Sequence, residues 1–382
     1  MNLQTKPSRP HILIIASLTE SLVRFRREMM KAFLAAGYRV TAFAPNLHED
    51  AMQELEELGV GFQTYPLHRA NLNPLQDVKT IFTLCRMIKT VKPDLVLAYT
   101  IKPVIYGFLA AWLAGVPKRY AMISGLGYAF GTATAQQRIV AQVVTQLYRQ
   151  SLRVNNAVFF QNPDDLNEFV VRGIVPREKT LLINGSGVEL ERFAPTPLST
   201  DPVSFLLIAR LIAEKGVRDY AAAAALLRSK YPSAQFHLVG QLDPSPLAIQ
   251  VGEVEEWVKA GYLHYHGETN DVRPLIAQAS VYVLPSYYRE GTPRSVLEAM
   301  AMGRPIITTD MPGCRETVIE GENGYLIPPQ DHGALAAAME RFLRNPALIP
   351  PMGQRSREIA TTKYDVYQVN SVIMRTMSGV IS

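Results

Sequence analysis

Short apolar runs alternate with amphipathic segments along the whole chain. The runs at 12–16, 40–43, 62–65, 95–98, 120–123, 157–160 and 181–184 are brief and rich in β-branched and aromatic side chains, which predicts buried strands. Between them, 23–36, 51–58, 75–91, 104–114 and 135–152 repeat apolar positions every three or four residues, as a helix with one buried face does. Strand and helix in regular succession predict an α/β domain with a parallel sheet. A second series of strands, 205–209, 236–239, 263–266, 281–284, 306–309 and 325–327, predicts a second domain of the same kind. Residues 189–202, rich in Pro, Thr and Ser and without a period, read as a linker. The expected organisation is two doubly wound, Rossmann-like domains, 1–188 and 203–362, with a C-terminal helix, 363–382, packing back on the first. Facing one another, two such sheets would set the carboxyl ends of their strands around a cleft, where sheets of this kind bind ligands.

Residues 282–310, YVLPSYYREGTPRSVLEAMAMGRPIITTD, carry the most chemistry. They read as strand, loop, helix and strand. Thr292 is the expected N-cap, Pro293 suits the first helical position, and Gly303 can close the helix in the left-handed conformation. Glu290 in the loop and Glu298 in the helix then flank a helix N-terminus, which attracts phosphate. Arg210 ends the first strand of the second domain and Lys215-Gly216 follow at the start of its helix, so two cations face two carboxylates at the top of one sheet. That arrangement is a candidate pyrophosphate clamp.

With 382 residues, 48% of them hydrophobic and 19% charged, the chain suits two globular domains. No apolar run reaches the ~20 residues of a membrane-spanning helix. The apolar start at 12–18 is followed at once by Glu20 and Arg24, which favours a strand over a signal sequence and a cytoplasmic setting. Cys85 and Cys314 supply neither a disulfide framework nor metal spacing, and no Asp-x-Asp pair calls for a divalent ion. Residues 1–190 hold 21 Lys and Arg against 14 Asp and Glu, while 191–382 hold 18 against 20. The basic first half suits an anionic partner such as a phosphorylated substrate or the cytoplasmic face of a membrane. Arg24, Arg26 and Arg27, opening its first helix, are candidates to meet a lipid diphosphate or anionic headgroups. A nucleic-acid partner lacks support, because no aromatic-basic stripe or helix-turn-helix signal accompanies the basic balance. Gly125-Leu126-Gly127-Tyr128-Ala129-Phe130-Gly131 has one residue too many for a dinucleotide fingerprint and reads better as a loop where backbone approaches a ligand.

Together, ARLIAEKG (209–216), LPSYYREGTPRSVLEAMAMGRPIITTD (284–310), PGCRETV (312–318) and GENGYLIPP (321–329) resemble the family-four retaining glycosyltransferases of GT-B fold. RANLNP (69–74), YTIKPVIYGFLAAWLAGV (99–116) and ISGLGYAF (123–130) are similar to a subgroup that extends lipid-linked glycans, among them transferases placing α-1,3-linked N-acetylgalactosamine on undecaprenyl-diphosphate-linked diacetylbacillosamine. The resemblance implies a UDP-sugar donor, a lipid-diphosphate-linked saccharide acceptor and no metal. It makes Arg210 and Lys215 the holders of the donor diphosphate, Glu290 the partner of the donor sugar and Glu298 that of the ribose. Gly291, Thr292, Pro293, His266 and Gly127 join the donor contacts. Arg26, Lys102 and Ser124 are the acceptor candidates. It also implies that the departing phosphate, rather than an enzyme base, takes the acceptor proton. Two positions depart from the pattern: 16–21 (ASLTES) lacks a Gly-Gly pair common in relatives, and Ser124 stands where many carry His. The rival readings are a nucleotide-sugar epimerase on the same fold and a non-catalytic nucleotide-sugar-binding protein.

Overall fold

The first unit runs β1 (His11–Ile15), α1 (Thr19–Ala35), β2 (Arg39–Ala44), α2 (Glu49–Glu57), β3 (Gly61–Thr64), α3 (Pro74–Val91), β4 (Leu95–Tyr99), α4 (Phe108–Leu113), β5 (Lys118–Ile123), α5 (Ala135–Leu152), β6 (Ala157–Phe160), α6 (Pro163–Val171) and β7 (Thr180–Leu182). These elements come from a computed structural model that describes residues 9–67, 74–130, 135–243 and 248–379. The seven strands pair in parallel in the order β3-β2-β1-β4-β5-β6-β7, which reverses direction between β1 and β4. Every residue of β1 and β4 is buried, because helices cover both faces of the sheet. On one face, α3, α4, α5 and α6 close over Leu13, Ile15, Val96, Ala98 and Phe160. On the other, α1 and α2 cover Ile12, Ile14, Leu97 and Phe159.

The expected helix at 104–114 starts as a π-helical turn, Pro103–Gly107, before becoming α4. There Gly107 lies so close to β1 that an added Cβ would stand 3.0 Å from Ile15 Cδ1. Apolar periodicity did not reveal α6, a helix signalled instead by Asn162, whose side chain accepts the Asp165 N–H, and by Pro163 in the first turn.

In the second unit come β8 (Ser204–Ile208), α7 (Val217–Arg228), β9 (Gln235–Val239), α8 (Val251–Lys259), β10 (His264–Tyr265), α9 (Arg273–Gln278), β11 (Val281–Leu284), α10 (Arg294–Ala301), β12 (Ile306–Thr309), β13 (Gly324–Ile327), α11 (His332–Arg344) and α12 (Ile349–Lys363). Its six strands are again parallel, in the order β10-β9-β8-β11-β12-β13. The last helix, α13 (Val366–Ser378), returns to the first unit, where Val369, Ile373 and Met377 join the core beside α1. The Tyr120 hydroxyl donates to Met377 O at 3.2 Å. The two units divide as Met1–Ser186 with Tyr367–Ser382, and Gly187–Val366. No described helix is long and apolar enough to cross a membrane.

Residues 189–202 differ from the linker their composition suggests, because they pack as part of the second unit. Phe193 is buried among Tyr282, Val296 and Leu297, and Val188 exchanges backbone hydrogen bonds with Tyr364 and Val366. Arg304 fastens the rest of this strap. Its side chain is completely buried and donates to Ile276 O at 2.8 Å, Met302 O at 2.8 Å, Ala277 O at 2.9 Å and Thr196 O at 3.0 Å, and also to Thr196 Oγ1 at 2.5 Å. Burial lowers its pKa to about 10, so the cation persists at neutral pH through carbonyl dipoles. Removing it leaves several carbonyls without a donor. Arg304→Met should therefore cost the second unit about 3 kcal/mol or more, while Arg344→Met, at an exposed ion pair, should leave the midpoint nearly unchanged. Urea unfolding followed by Trp257 fluorescence in a Trp112→Phe background measures both, and equal midpoints would remove the fastening role.

Candidate active site

Backbone contacts join the carboxyl ends of the second sheet edge to edge. Gly240, after β9, has φ 153°, and an added Cβ would lie 1.7 Å from Ala209 O. Its N–H donates to Gly267 O at 2.9 Å, and Leu211 N–H to Gln241 O at 2.9 Å. The loops after β8, β9 and β10 therefore touch. Arg210, 56% exposed, reaches Asp243 across this seam, with Nη1 2.9 Å from Oδ2.

After Arg210 the chain makes a tight turn at Ala213–Lys215 and passes through Gly216 in the left-handed region, φ 72°. An added Cβ there would meet Pro285 O at 2.1 Å, so only glycine lets the β8 loop lie on the β11 loop. Glu214 O accepts the N–H groups of Tyr287 at 2.8 Å and Tyr288 at 3.0 Å. This clasp fixes Lys215 Nζ 2.5 Å from Glu290 Oε1, with both side chains largely buried. Ser286 Oγ donates to the same carboxylate oxygen at 2.9 Å. From the other side, Gly313 (φ 81°) approaches so closely that an added Cβ would stand 1.8 Å from Gly291 O. Behind it lies Cys314, a buried thiol pushed up to about 12 by burial first and the Glu290 charge second, which keeps it protonated.

The helix of the central stretch begins one residue later than expected. Pro293 (φ −68°, ψ 116°), not Thr292, is the N-cap of α10, because its ring fixes φ while its extended ψ holds it outside the helix. Lacking a side-chain oxygen, it leaves the first turn without a side-chain cap. Gly291, Thr292 and Pro293 are all buried. At the other end Gly303 (φ 80°) and Arg304 donate back to Met300 O and Ala299 O, as expected of a glycine-closed helix. Glu298, 14% exposed, accepts from Arg294 Nε at 2.9 Å, and Arg294 Nη2 reaches Glu189 Oε1 at 3.3 Å. Burial raises the Glu298 pKa and Arg294 opposes it. Tyr282 lies beneath both carboxylates, its hydroxyl donating to Ile208 O at 3.1 Å and its pKa raised by burial first and by the charges of Glu298 and Glu290 after it.

The structure thus brings Arg210, Lys215, Glu290 and Glu298 to one edge of one sheet. Asp243, Ser286, Arg294 and Glu189 belong to the same constellation and escaped the sequence reading. Of these only Arg294 carried a signal, four residues before Glu298 on one helix face. His266 lies at the β10 end of the same edge. Its N–H is taken by Leu238 O, and its ring Nε2 is 3.0 Å from His237 Nδ1. Burial holds both imidazoles below their usual pKa, His237 at about 4.

In the first unit, Ser124 and Gly127 (φ 53°) follow β5, and Lys102 follows β4, all at carboxyl ends. Lys102 Nζ is 3.3 Å from Asp77 Oδ1. Arg26 differs from an exposed headgroup contact: it is buried, with its guanidinium 4.9 Å from the centre of the Tyr99 ring. Arg27 is paired to Glu54 at 2.5 Å. Residues 69–73 of the RANLNP motif and Gly131 of the glycine loop lie outside the described residues. Among those described, no group of three or more His, Cys, Asp or Glu could hold a metal ion.

Two family models match the chain, a glycosyl transferase 4-like domain over residues 22–185 and the glycosyl transferases group 1 over 202–345. The N,N'-diacetylbacillosaminyl-diphospho-undecaprenol α-1,3-N-acetylgalactosaminyltransferase of Campylobacter jejuni is 30% identical over 80% of this chain and 81% of its own. The UDP-Gal:α-D-GlcNAc-diphosphoundecaprenol α-1,3-galactosyltransferase of Escherichia coli is 25% identical over 71% of this chain and 72% of its own. Among solved structures, sucrose-phosphate synthase of Thermosynechococcus elongatus aligns with a TM-score of 0.78 at 21% identity, over 97% of this chain and 99% of that one. HepE of Anabaena in complex with UDP-glucose gives 0.78 at 18% identity, with the same coverage. These likenesses span both sheets and the loops that carry the two cations and two carboxylates, and the chain belongs to the group 1, family-four glycosyltransferases of GT-B fold.

Proposed function

We propose that this glycosyltransferase moves a hexose or N-acetylhexosamine, foremost N-acetylgalactosamine, from a UDP-sugar to a saccharide carried on undecaprenyl diphosphate, with retention at the anomeric carbon. The observation that carries the donor half is the Lys215–Glu290 pair, clamped at 2.5 Å beside Arg210 at the carboxyl edge of the second sheet. The acceptor half rests on the relatives from Campylobacter jejuni and Escherichia coli, both of which bear undecaprenol-linked acceptors in their names.

As the bond to the sugar breaks, negative charge grows on the departing diphosphate. Lys215 meets it from a fixed position, because Glu290 and the Glu214 clasp have already oriented its ammonium. Such preorganised charge is the largest single source of rate in reactions of this kind. Among the described residues Arg210 pairs with Asp243 alone, an exposed pair worth at most about 1 kcal/mol, so a diphosphate oxygen can compete for the guanidinium. The first turn of α10 adds backbone donors and its dipole. In this reading the cations and the helix start do what a divalent ion does elsewhere. Glu290 takes the sugar hydroxyls, and Glu298 takes those of the ribose. The acceptor hydroxyl passes its proton to the leaving phosphate on the same face.

Lys215→Ala and Arg210→Ala should each lower kcat about 100-fold or more with smaller changes in KM, measured as UDP release and sugar transfer to a short lipid-diphosphate saccharide. Activity should survive a chelator. Turnover near wild type in both variants would sink the clamp, and an epimerised sugar from donor alone would replace transfer with epimerisation.

Glu298 makes a prediction of opposite sign for binding and stability. Burial raises its pKa in the folded chain, so the folded state holds that proton more tightly than the unfolded one. Stability relative to Glu298→Gln should then fall as pH rises from the ordinary carboxylate value of 4.5 through the raised one. Over the same range donor affinity should increase, because the ionised carboxylate accepts both ribose hydroxyls. Melting temperatures and UDP titrations of the two proteins across that range test this, and parallel curves for wild type and variant would refute it.

A further inference from the structure

The outer surface of α3, α4 and α5 has a composition that the donor chemistry does not use. Leu75, Val78, Lys79, Phe82, Arg86 and Lys89 fall in a stripe roughly 100° wide along α3 at 3.6 residues per turn. All six are exposed, Leu75 at 85% and Phe82 at 61%, while Leu84, Cys85 and Ile88 bury the opposite side in the core. Trp112 and Leu113 stand out from α4, which packs against both neighbours, and Ile139 and Val143 from α5. Seven large apolar side chains are therefore presented by one helical layer, with Phe82, Trp112 and Ile139 each more than half exposed.

Charge on these three helices is almost all positive. The three helices contain Lys79, Arg86, Lys89, Arg138 and Arg149, and Asp77 is their sole acid, tied to Lys102. Arg149 is bound to the carbonyls of Arg172 and Gly173, whereas Lys79, Arg86, Lys89 and Arg138 are exposed and form no ion pair among the described residues. The opposite layer is different. There α2 carries Glu49, Asp50, Glu54, Glu56 and Glu57 and no base, and Glu54 neutralises Arg27 of α1.

We infer that the outer face of α3, α4 and α5 docks on an anionic phospholipid bilayer, with the seven apolar side chains entering the headgroup boundary and Lys79, Arg86, Lys89 and Arg138 meeting lipid phosphates. The inference deepens the reading above and rests on it for purpose, since a lipid-linked acceptor lies in such a surface. Large apolar side chains exposed together on one helical layer mark an interaction site. An apolar stripe interleaved with bases is the pattern of helices that lie in a membrane interface, and each base near an anionic surface strengthens binding roughly fivefold. A second copy of this chain fits less well, because pairing the face with itself would bring like charges together.

The test is flotation of the full chain with vesicles of 70:30 phosphatidylethanolamine:phosphatidylglycerol and with pure phosphatidylcholine. The proteins are wild type, a Phe82→Ser/Trp112→Ser/Ile139→Ser variant, and a Lys79→Glu/Arg86→Glu/Lys89→Glu variant whose exposed positions leave the core intact. Wild type should bind the anionic vesicles at least tenfold better than the neutral ones, and each variant at least tenfold more weakly than wild type. In a Trp257→Phe background the emission of Trp112 should shift to the blue and be quenched by brominated lipid. Equal binding by wild type and the charge variant would overturn the inference, as would self-association abolished by the variants without any vesicle binding. Transfer to a short, soluble lipid-diphosphate saccharide reports separately: it should be unchanged in the charge variant. Vesicle binding without transfer would retire the proposed reaction and leave the surface, and transfer without vesicle binding would do the reverse.

Discussion

A largely buried ion pair, Lys215 with Glu290, sets the terms for the whole candidate site. Moving two charges out of water costs several kcal/mol for each, and their attraction offsets this only when the partners are held in good geometry with further hydrogen bonds. The backbone supplies that geometry. Gly216 lies against Pro285, Gly313 lies against Gly291, and the Glu214 carbonyl takes two N–H groups from the β11 loop. Ser286 adds a donor to the carboxylate. Any side chain at Gly216 or Gly313 would force these loops apart, and the pair would lose the geometry that makes its burial tolerable. An ammonium fixed in this way is suited to a charge that develops during a reaction, since it needs no reorganisation when that charge appears.

Arg210 and Glu298 obey a different rule from that pair. Arg210 is exposed and loosely partnered, so it can exchange one anion for another at little cost. Glu298 is buried under a desolvation penalty that Arg294 only partly cancels. A carboxylate kept in such a place is unfavourable for the fold and favourable for a ligand that brings hydroxyl donors, the usual relation between stability and a working site.

The first unit keeps its exposed bases and many of its acids on different helices. Bases and exposed apolar residues gather on α3, α4 and α5, and α2 and α6 carry acids and no base. Summed over the first half of the sequence, this segregation disappears into a modest positive excess. Arg26 and Arg27 contribute to that excess and yet are occupied, one against Tyr99 and the other by Glu54.

The sequence by itself determined the two parallel α/β units, because strands buried on both faces and helices buried on one leave periodicities of their own. It also placed Arg210, Lys215, Glu290 and Glu298 at one edge of a sheet, since strand ends and helix starts are local events. Tertiary structure alone decided the rest. Residues 189–202 look like a linker by composition, but Arg304, more than a hundred residues later, binds Thr196 and makes them part of the second unit. Pro293 displaced Thr292 as the cap through backbone torsion that composition does not encode. Asp243, Ser286 and Glu189 entered the site through contacts between loops distant in sequence, and such contacts depend on which strands become neighbours. The same reason separates the occupied arginines of α1 from the exposed bases of α3: a sequence records charge, whereas the packing of helices on a sheet decides which charges meet water.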